Sequence, residues 1–119
     1  MIKLLDFLGL SLYCALIYWL SDQETLPVTN LFEFQDKAHH FGAYFVMGIL
    51  AWRSFRHFIN PPIILALVSI IFCSLYGASD EWHQSFVIGR VSDVGDWLAD
   101  TIGAIVGVAY MAIFKDNRS

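Results

Sequence analysis

The sequence predicts an all-α fold, a four-helix transmembrane bundle with an outward-facing polar cluster, on three observations. The chain is 57% hydrophobic and only 15% charged, whereas soluble domains carry about a quarter of charged residues. Its apolar residues gather into four runs, each near the span of about 17 to 25 residues that a helix needs to cross a bilayer. Its basic residues fall on one side of a four-span arrangement and its acidic loops on the other. The 119 residues leave room for one domain, taken as 1–119. A soluble domain of that size would still expose roughly a third of its unfolded surface, and lipid is the solvent that tolerates so apolar a chain.

The first run, Leu4 to Leu20, follows Lys3 as a secretory leader would. The stretch Tyr18-Trp19-Leu20-Ser21 lacks the small residues of a cleavage site, so this helix is expected to be retained. Ala38 to Phe58 forms the second run and turns basic at its end. Pro61 and Pro62 open the third, Ile63 to Ala78, because proline suits the first helical turn. Trp97 to Phe114 forms the fourth. Cys14 and Cys73 each lie inside an apolar run, where plain core packing is the expected role.

Orientation follows from Lys3, Arg53, Arg56, Lys115 and Arg118, which share one side and place both ends of the chain in the cytoplasm. The expected location is the inner (cytoplasmic) membrane, crossed several times. Two segments then face outward. Asp22, Glu24, Glu33 and Asp36 oppose Lys37 in one, and Asp80, Glu81, Asp93 and Asp96 oppose Arg90 in the other, so each carries −3. The formal charge of −4 and the lack of a basic stripe argue against a nucleic-acid partner.

The candidate chemistry lies on this outer side. Asp36, His40 and Tyr44 recur every four residues and share a helical face. Such a stripe fits a proton relay or a head-group site; taken alone, capping by Asp36 and one structural hydrogen bond from His40 is the favoured explanation. Asp80, Glu81 and Gln84 share a broad face if the third helix continues past Ala78. Asp93, Asp96 and Asp100 then lead into Gly103 and Gly107, a stripe that passes from carboxylates to a small-residue packing seam. Asp100 lies within an apolar run, where an ionised carboxylate costs up to about 3 kcal/mol, so it must face protein. Its expected partners are Arg90, which can clamp carboxylates through two hydrogen bonds, and the polar face of the second helix.

Asp36, Asp80, Glu81, Asp93, Asp96 and Asp100 outnumber Lys37 and Arg90 by six to two. Protonated histidines, protonated acids or a bound cation would restore the balance. Mixed imidazole and carboxylate ligands suit a divalent ion, but no HExxH or comparable spacing is present, so the sequence assigns no metal ligands and leaves any cofactor unknown. Ser79, Ser85 and Ser92 lie near the cluster without a nucleophile elbow.

Two blocks together resemble the VanZ-like family of small membrane proteins. The first comprises Asp36-Lys37, His40-Phe41, Tyr44 and Gly48. The second comprises Asp80-Glu81, Gln84, Phe86-Val87, Gly89-Arg90, Asp93, Asp96, Asp100, Gly103 and Gly107. Met47 stands where leucine is usual, Ile88 where proline is common, and Asp100 where asparagine is often found. The resemblance implies a four-helix membrane protein working at the outer leaflet, with one named member associated with resistance to the lipid-tailed glycopeptide antibiotic teicoplanin.

Four functions remain open from the sequence. In the first, an amphipathic partner, a lipid-linked envelope precursor or a lipoglycopeptide, sets its tail among helices and membrane lipids and its head group against Asp36, Lys37, Tyr44, Gln84, Arg90, Asp93, Asp96 and Asp100. In the second, the protein is a hydrolase or transferase on such a substrate, with Asp80 or Glu81 as general base and His40 as acid. In the third, the charge network only specifies helix pairing in a structural or assembly protein. Proton-linked transport through the intramembrane acids would require a homo-oligomer, because four helices make a meagre pathway.

Overall fold

The computed structural model describes residues 2–21, 35–86 and 94–115, and all of its regular structure is helical. Helix α1 covers Ile2–Ser21, α2 Gln35–Phe55, α3 Pro62–Gln84 and α4 Val94–Tyr110, the last continuing as a wider π-helical turn over Met111–Lys115. Pro61 is extended (φ −63°, ψ 123°) and Pro62 opens α3, a place where a missing backbone N–H removes no helical bond. A tight turn precedes it: the N–H groups of Phe58 and Ile59 both donate to the Phe55 carbonyl at 3.0 Å. So short a connection sets α2 and α3 antiparallel.

The third helix runs to Gln84, six residues beyond the apolar run that announces it. Hydropathy stops at Ala78 because the next turns carry Asp80, Glu81 and Gln84, yet all three are buried. The polar turn is therefore held by its neighbours and not by lipid. Helix α4 likewise begins three residues before Trp97, taking Asp96 into its first turn, where a carboxylate suits the positive end of the helix.

Helices α1, α3 and α4 are long and apolar enough to cross a membrane. The sequence predicts four such helices, and α2, with 21 residues, is long enough. Its composition is more polar because it packs against all three of the others, most extensively against α4. A helix enclosed by protein presents less surface to lipid and can carry His39, His40 and Lys37 at its start.

The exposure pattern is inverted relative to a soluble bundle. On α3, Leu67 and Ile71 are each 54% exposed and Leu75 66%, while Ser69 and Cys73 are fully buried. The large aliphatic residues point outward and the small or polar ones inward, the arrangement expected when the surrounding solvent is hydrocarbon. Two core clusters fill the interior. Tyr44, Met47, Cys73 and Ala104 belong to one, and Trp52, Leu65, Val108 and Met111 to the other. Cys14 and Cys73 are free thiols packed in or beside this core.

Packing between α2 and α4 depends on missing side chains. A Cβ added at Gly48 would come 2.7 Å from the Ala104 carbonyl oxygen. One at Gly103 or Gly107 would overlap the carbonyl of Phe41 or Phe45 outright. The small-residue stripe on α4 thus brings its backbone directly against α2. Helix α1 is held less closely: the Tyr13 hydroxyl donates to the Ala43 carbonyl at 2.6 Å, and the Tyr76 hydroxyl to that of Cys14 at 2.5 Å.

Candidate functional site

The first turns of α2 and α4 and the last turns of α3 meet at one end of the bundle. Antiparallel packing brings these termini together, and the glycine seam sets α2 and α4 close enough for their side chains to touch. His40 of α2 places Nδ1 2.7 Å from Oδ1 of Asp100, a residue 60 positions away in sequence. When that carboxylate is ionised, the imidazole N–H donates to it. The other ring nitrogen, Nε2, is 3.8 Å from Oδ2 of Asp96, and Lys37 reaches the second oxygen of the same carboxylate at 3.4 Å.

The carboxylates described at this end are enclosed. Asp100 is fully buried, Asp96 is 2% exposed, and Asp80 and Glu81 are each 7% exposed. Asp100 thus faces protein, as its position in an apolar run requires, and the partner that the described residues supply is the polar face of α2. Gly77 on α3 makes room for it: a Cβ there would lie 2.9 Å from Asp100 Oδ2. One turn further along α3 stand Asp80 and Glu81, and Gln84 is buried beyond them.

In this region Oδ2 of Asp100 and the hydroxyl of Tyr44 are buried without a hydrogen bond among the described residues. Tyr44 is 1% exposed and lies one helical turn after His40 on α2. Each buried polar atom without a partner costs about 1–3 kcal/mol, so the arrangement is not optimised for stability alone. His40, Asp80, Glu81 and Asp100 can each offer a donor atom such that all four atoms lie within 4.8 Å of one another. Such a set can hold a cation, orient a positively charged or hydroxyl-rich group, or exchange a proton between imidazole and carboxylate.

Of the residues singled out in the sequence, Lys37, His40, Tyr44, Asp80, Glu81, Gln84, Asp96 and Asp100 are thus placed at this end of the bundle. Arg90 and Asp93, and the side chain of Asp36, lie outside the described residues.

The sequence reading overlooks a second polar cluster at the opposite end. Asp6, buried on α1, receives Nε and a terminal nitrogen of Arg53, both at 3.1 Å, and lies 2.8 Å from Nε2 of His57. The buried Ser54 hydroxyl donates to the Asp6 backbone carbonyl at 3.1 Å. The signal was present: Asp6 sits inside the first apolar run, and the cost assigned to Asp100 applies equally to it. Its partners, however, are about fifty positions away, beyond the reach of helical periodicity.

No curated protein and no solved structure matches the chain. The VanZ/LLP1 family model does, over residues 10–115, which takes in the described part of α1 from Leu10 onward and all the residues of the acidic end. A match over so much of the chain, on helices that carry the residue pattern described above, makes this protein a member of the VanZ/LLP1 family.

Proposed function

We propose that this membrane protein serves the cell envelope by receiving the polar head of an amphipathic or lipid-linked molecule at its acidic end, with the apolar tail lying along the outer faces of the helices. The observation that carries the reading is the convergence of Lys37, His40, Asp96 and Asp100, ionic and hydrogen-bonding groups, at one end of a bundle whose outward surface is apolar. A head group entering there exchanges water for oriented donors and acceptors while its tail remains in hydrocarbon. The loop charges support an orientation in which this end faces away from the cytoplasm, both chain ends face the cytoplasm, and the chain crosses the inner membrane several times. The family association with teicoplanin fits the same class of ligand, a polar head on a lipid tail.

A second reading, hydrolysis or transfer on the same kind of molecule, is favoured by one feature. Asp100 holds the His40 imidazole in a fixed orientation at 2.7 Å, as a general acid requires, and Asp80 or Glu81 would act as base. A purely structural network accounts less well for the buried Asp100 oxygen and Tyr44 hydroxyl that have no hydrogen bond among the described residues.

Native mass spectrometry of protein extracted gently from its own membrane tests the principal reading, with an Arg90→Ala, Asp96→Ala double variant as comparison. A discrete lipid-linked adduct that is lost in the variant is the expected result. Bare protein in both samples, equally folded, counts against it and favours the structural role.

A further inference from the structure

We propose that His40, Asp80, Glu81 and Asp100 together hold one divalent transition-metal ion, of the Mn2+ or Zn2+ class, where the ends of α2, α3 and α4 meet. Donor atoms from these residues already lie within 4.8 Å of one another. Ligands bound to one ion at about 2.0–2.2 Å stand no more than about 4.4 Å apart when opposite and about 3.5 Å apart in a tetrahedron, so the widest pair must close by a few tenths of an ångström for a six-coordinate ion and by about 1 Å or more for a tetrahedral one. Three of the residues are buried and the histidine half-buried, which sets them apart from the exposed acidic clusters common on protein surfaces.

A second observation, the state of individual buried atoms, points the same way. Asp100 Oδ2 and the Tyr44 hydroxyl are buried with no hydrogen bond among the described residues. Asp100 is 0% and Tyr44 1% exposed. The Asp100 oxygen rests against Gly77, one turn from Asp80 and Glu81 on α3, and Tyr44 follows His40 by one turn on α2. An ion at this point gives Oδ2 a partner.

The donor set selects the class of ion. Oxygen-only sites suit Mg2+ and Ca2+, whereas an imidazole among carboxylates shifts preference towards Mn2+, Fe2+ and Zn2+. Ligation by Nδ1 displaces the proton it shares with Asp100, and the carboxylate on the side of the other ring nitrogen, where an outer acid commonly orients a ligating imidazole, is Asp96. It stands 3.8 Å from His40 Nε2 and is itself held by Lys37. None of this depends on the head-group reading, since an ion can bind protein that carries no lipid ligand.

The test uses the full chain purified in detergent, stripped with a chelator and titrated with Mn2+ followed by electron paramagnetic resonance. One Mn2+ per chain is expected, with electron spin-echo modulation from the nitrogen of a single imidazole. Glu81→Gln is expected to weaken binding more than about tenfold, and His40→Gln to remove the nitrogen modulation. If either variant fails to fold, the wild-type spectrum still decides: a single coupled nitrogen supports the site. Absence of bound Mn2+ and of Zn2+ at micromolar concentrations overturns it. So does a bound ion without nitrogen coupling, or affinity unchanged in folded Glu81→Gln.

Discussion

The two ends of the bundle use the same kinds of side chain to opposite effect. At the Asp6 end one buried carboxylate meets a guanidinium and an imidazole, and the neighbouring serine also donates to its backbone. At the other end Asp80, Glu81, Asp96 and Asp100 crowd around His40 and Lys37. The first arrangement saturates its acid and locks α1 to α2. The second buries four carboxylates near one another and leaves Asp100 Oδ2 and the Tyr44 hydroxyl without a hydrogen bond among the described residues, at a cost in stability, which is the pattern expected of a site that receives something from outside. Charged residues inside a membrane protein are therefore not all evidence of function; the balance among their partners separates a fastening from a site.

The largest expected effect comes from pushing the acidic end apart. Gly103→Leu forces a side chain into the Phe41 carbonyl, beside His40. Overpacking costs typically 1–3 kcal/mol and more against rigid backbone, so folded protein should be largely lost, as read by size-exclusion chromatography in detergent. Gly42→Leu, on α2 beside Phe41 and with nothing within 4 Å of its Cβ position, should elute as wild type.

A matched pair of substitutions addresses the comparison directly. Asp6→Asn removes the charge that Arg53 and His57 share, and should lower stability by about 1–3 kcal/mol, seen as a fall of several degrees in Tm. Asp100→Asn, measured on metal-free protein, still offers His40 an acceptor while relieving repulsion among the neighbouring carboxylates, and should leave Tm within a few degrees of wild type or raise it. Equal losses at both ends would erase the distinction drawn between them.

Smaller effects distinguish single hydroxyl groups. Tyr13→Phe deletes a 2.6 Å bond from α1 to α2 and should cost about 0.5–1.5 kcal/mol. Tyr44→Phe deletes a hydroxyl with no hydrogen bond among the described residues, and its effect on the metal-free protein should be close to zero. A loss in Tyr44→Phe as large as in Tyr13→Phe would show that the phenol is engaged within the metal-free bundle.

Much of this architecture is legible in the sequence because hydrocarbon imposes simple requirements. Four apolar runs mark the four helices, and the spacing of Asp96, Asp100, Gly103 and Gly107 marks the face of α4 that is buried. Helix ends are less legible where polar turns are protected by neighbouring helices, as for Asp80 to Gln84, since hydropathy records composition and not enclosure. The pairing of His40 with Asp100 is foreshadowed only as a face meeting a face. The convergence of His40, Asp80, Glu81 and Asp100 could not be read from ligand spacing, because its members come from three helices. Asp6 shows the complementary limit: the anomaly of a carboxylate in an apolar run is visible, but its partners emerge only when α1 and α2 pack.

The glycine seam also divides the bundle mechanically. Backbone meets backbone between α2 and α4, so sliding or tilting one against the other would unmake a contact that has no side chains with which to adapt. Helix α3 rests on α4 through side chains instead: the Trp97 indole bonded to the Ser74 carbonyl, Ser74 against Thr101, and Asp100 against Gly77. These contacts can rearrange by rotation about single bonds. His40 and Asp100 therefore travel together on a stiff frame, while Asp80 and Glu81 ride on the more compliant arm. The acidic end would widen or tighten by movement of that arm.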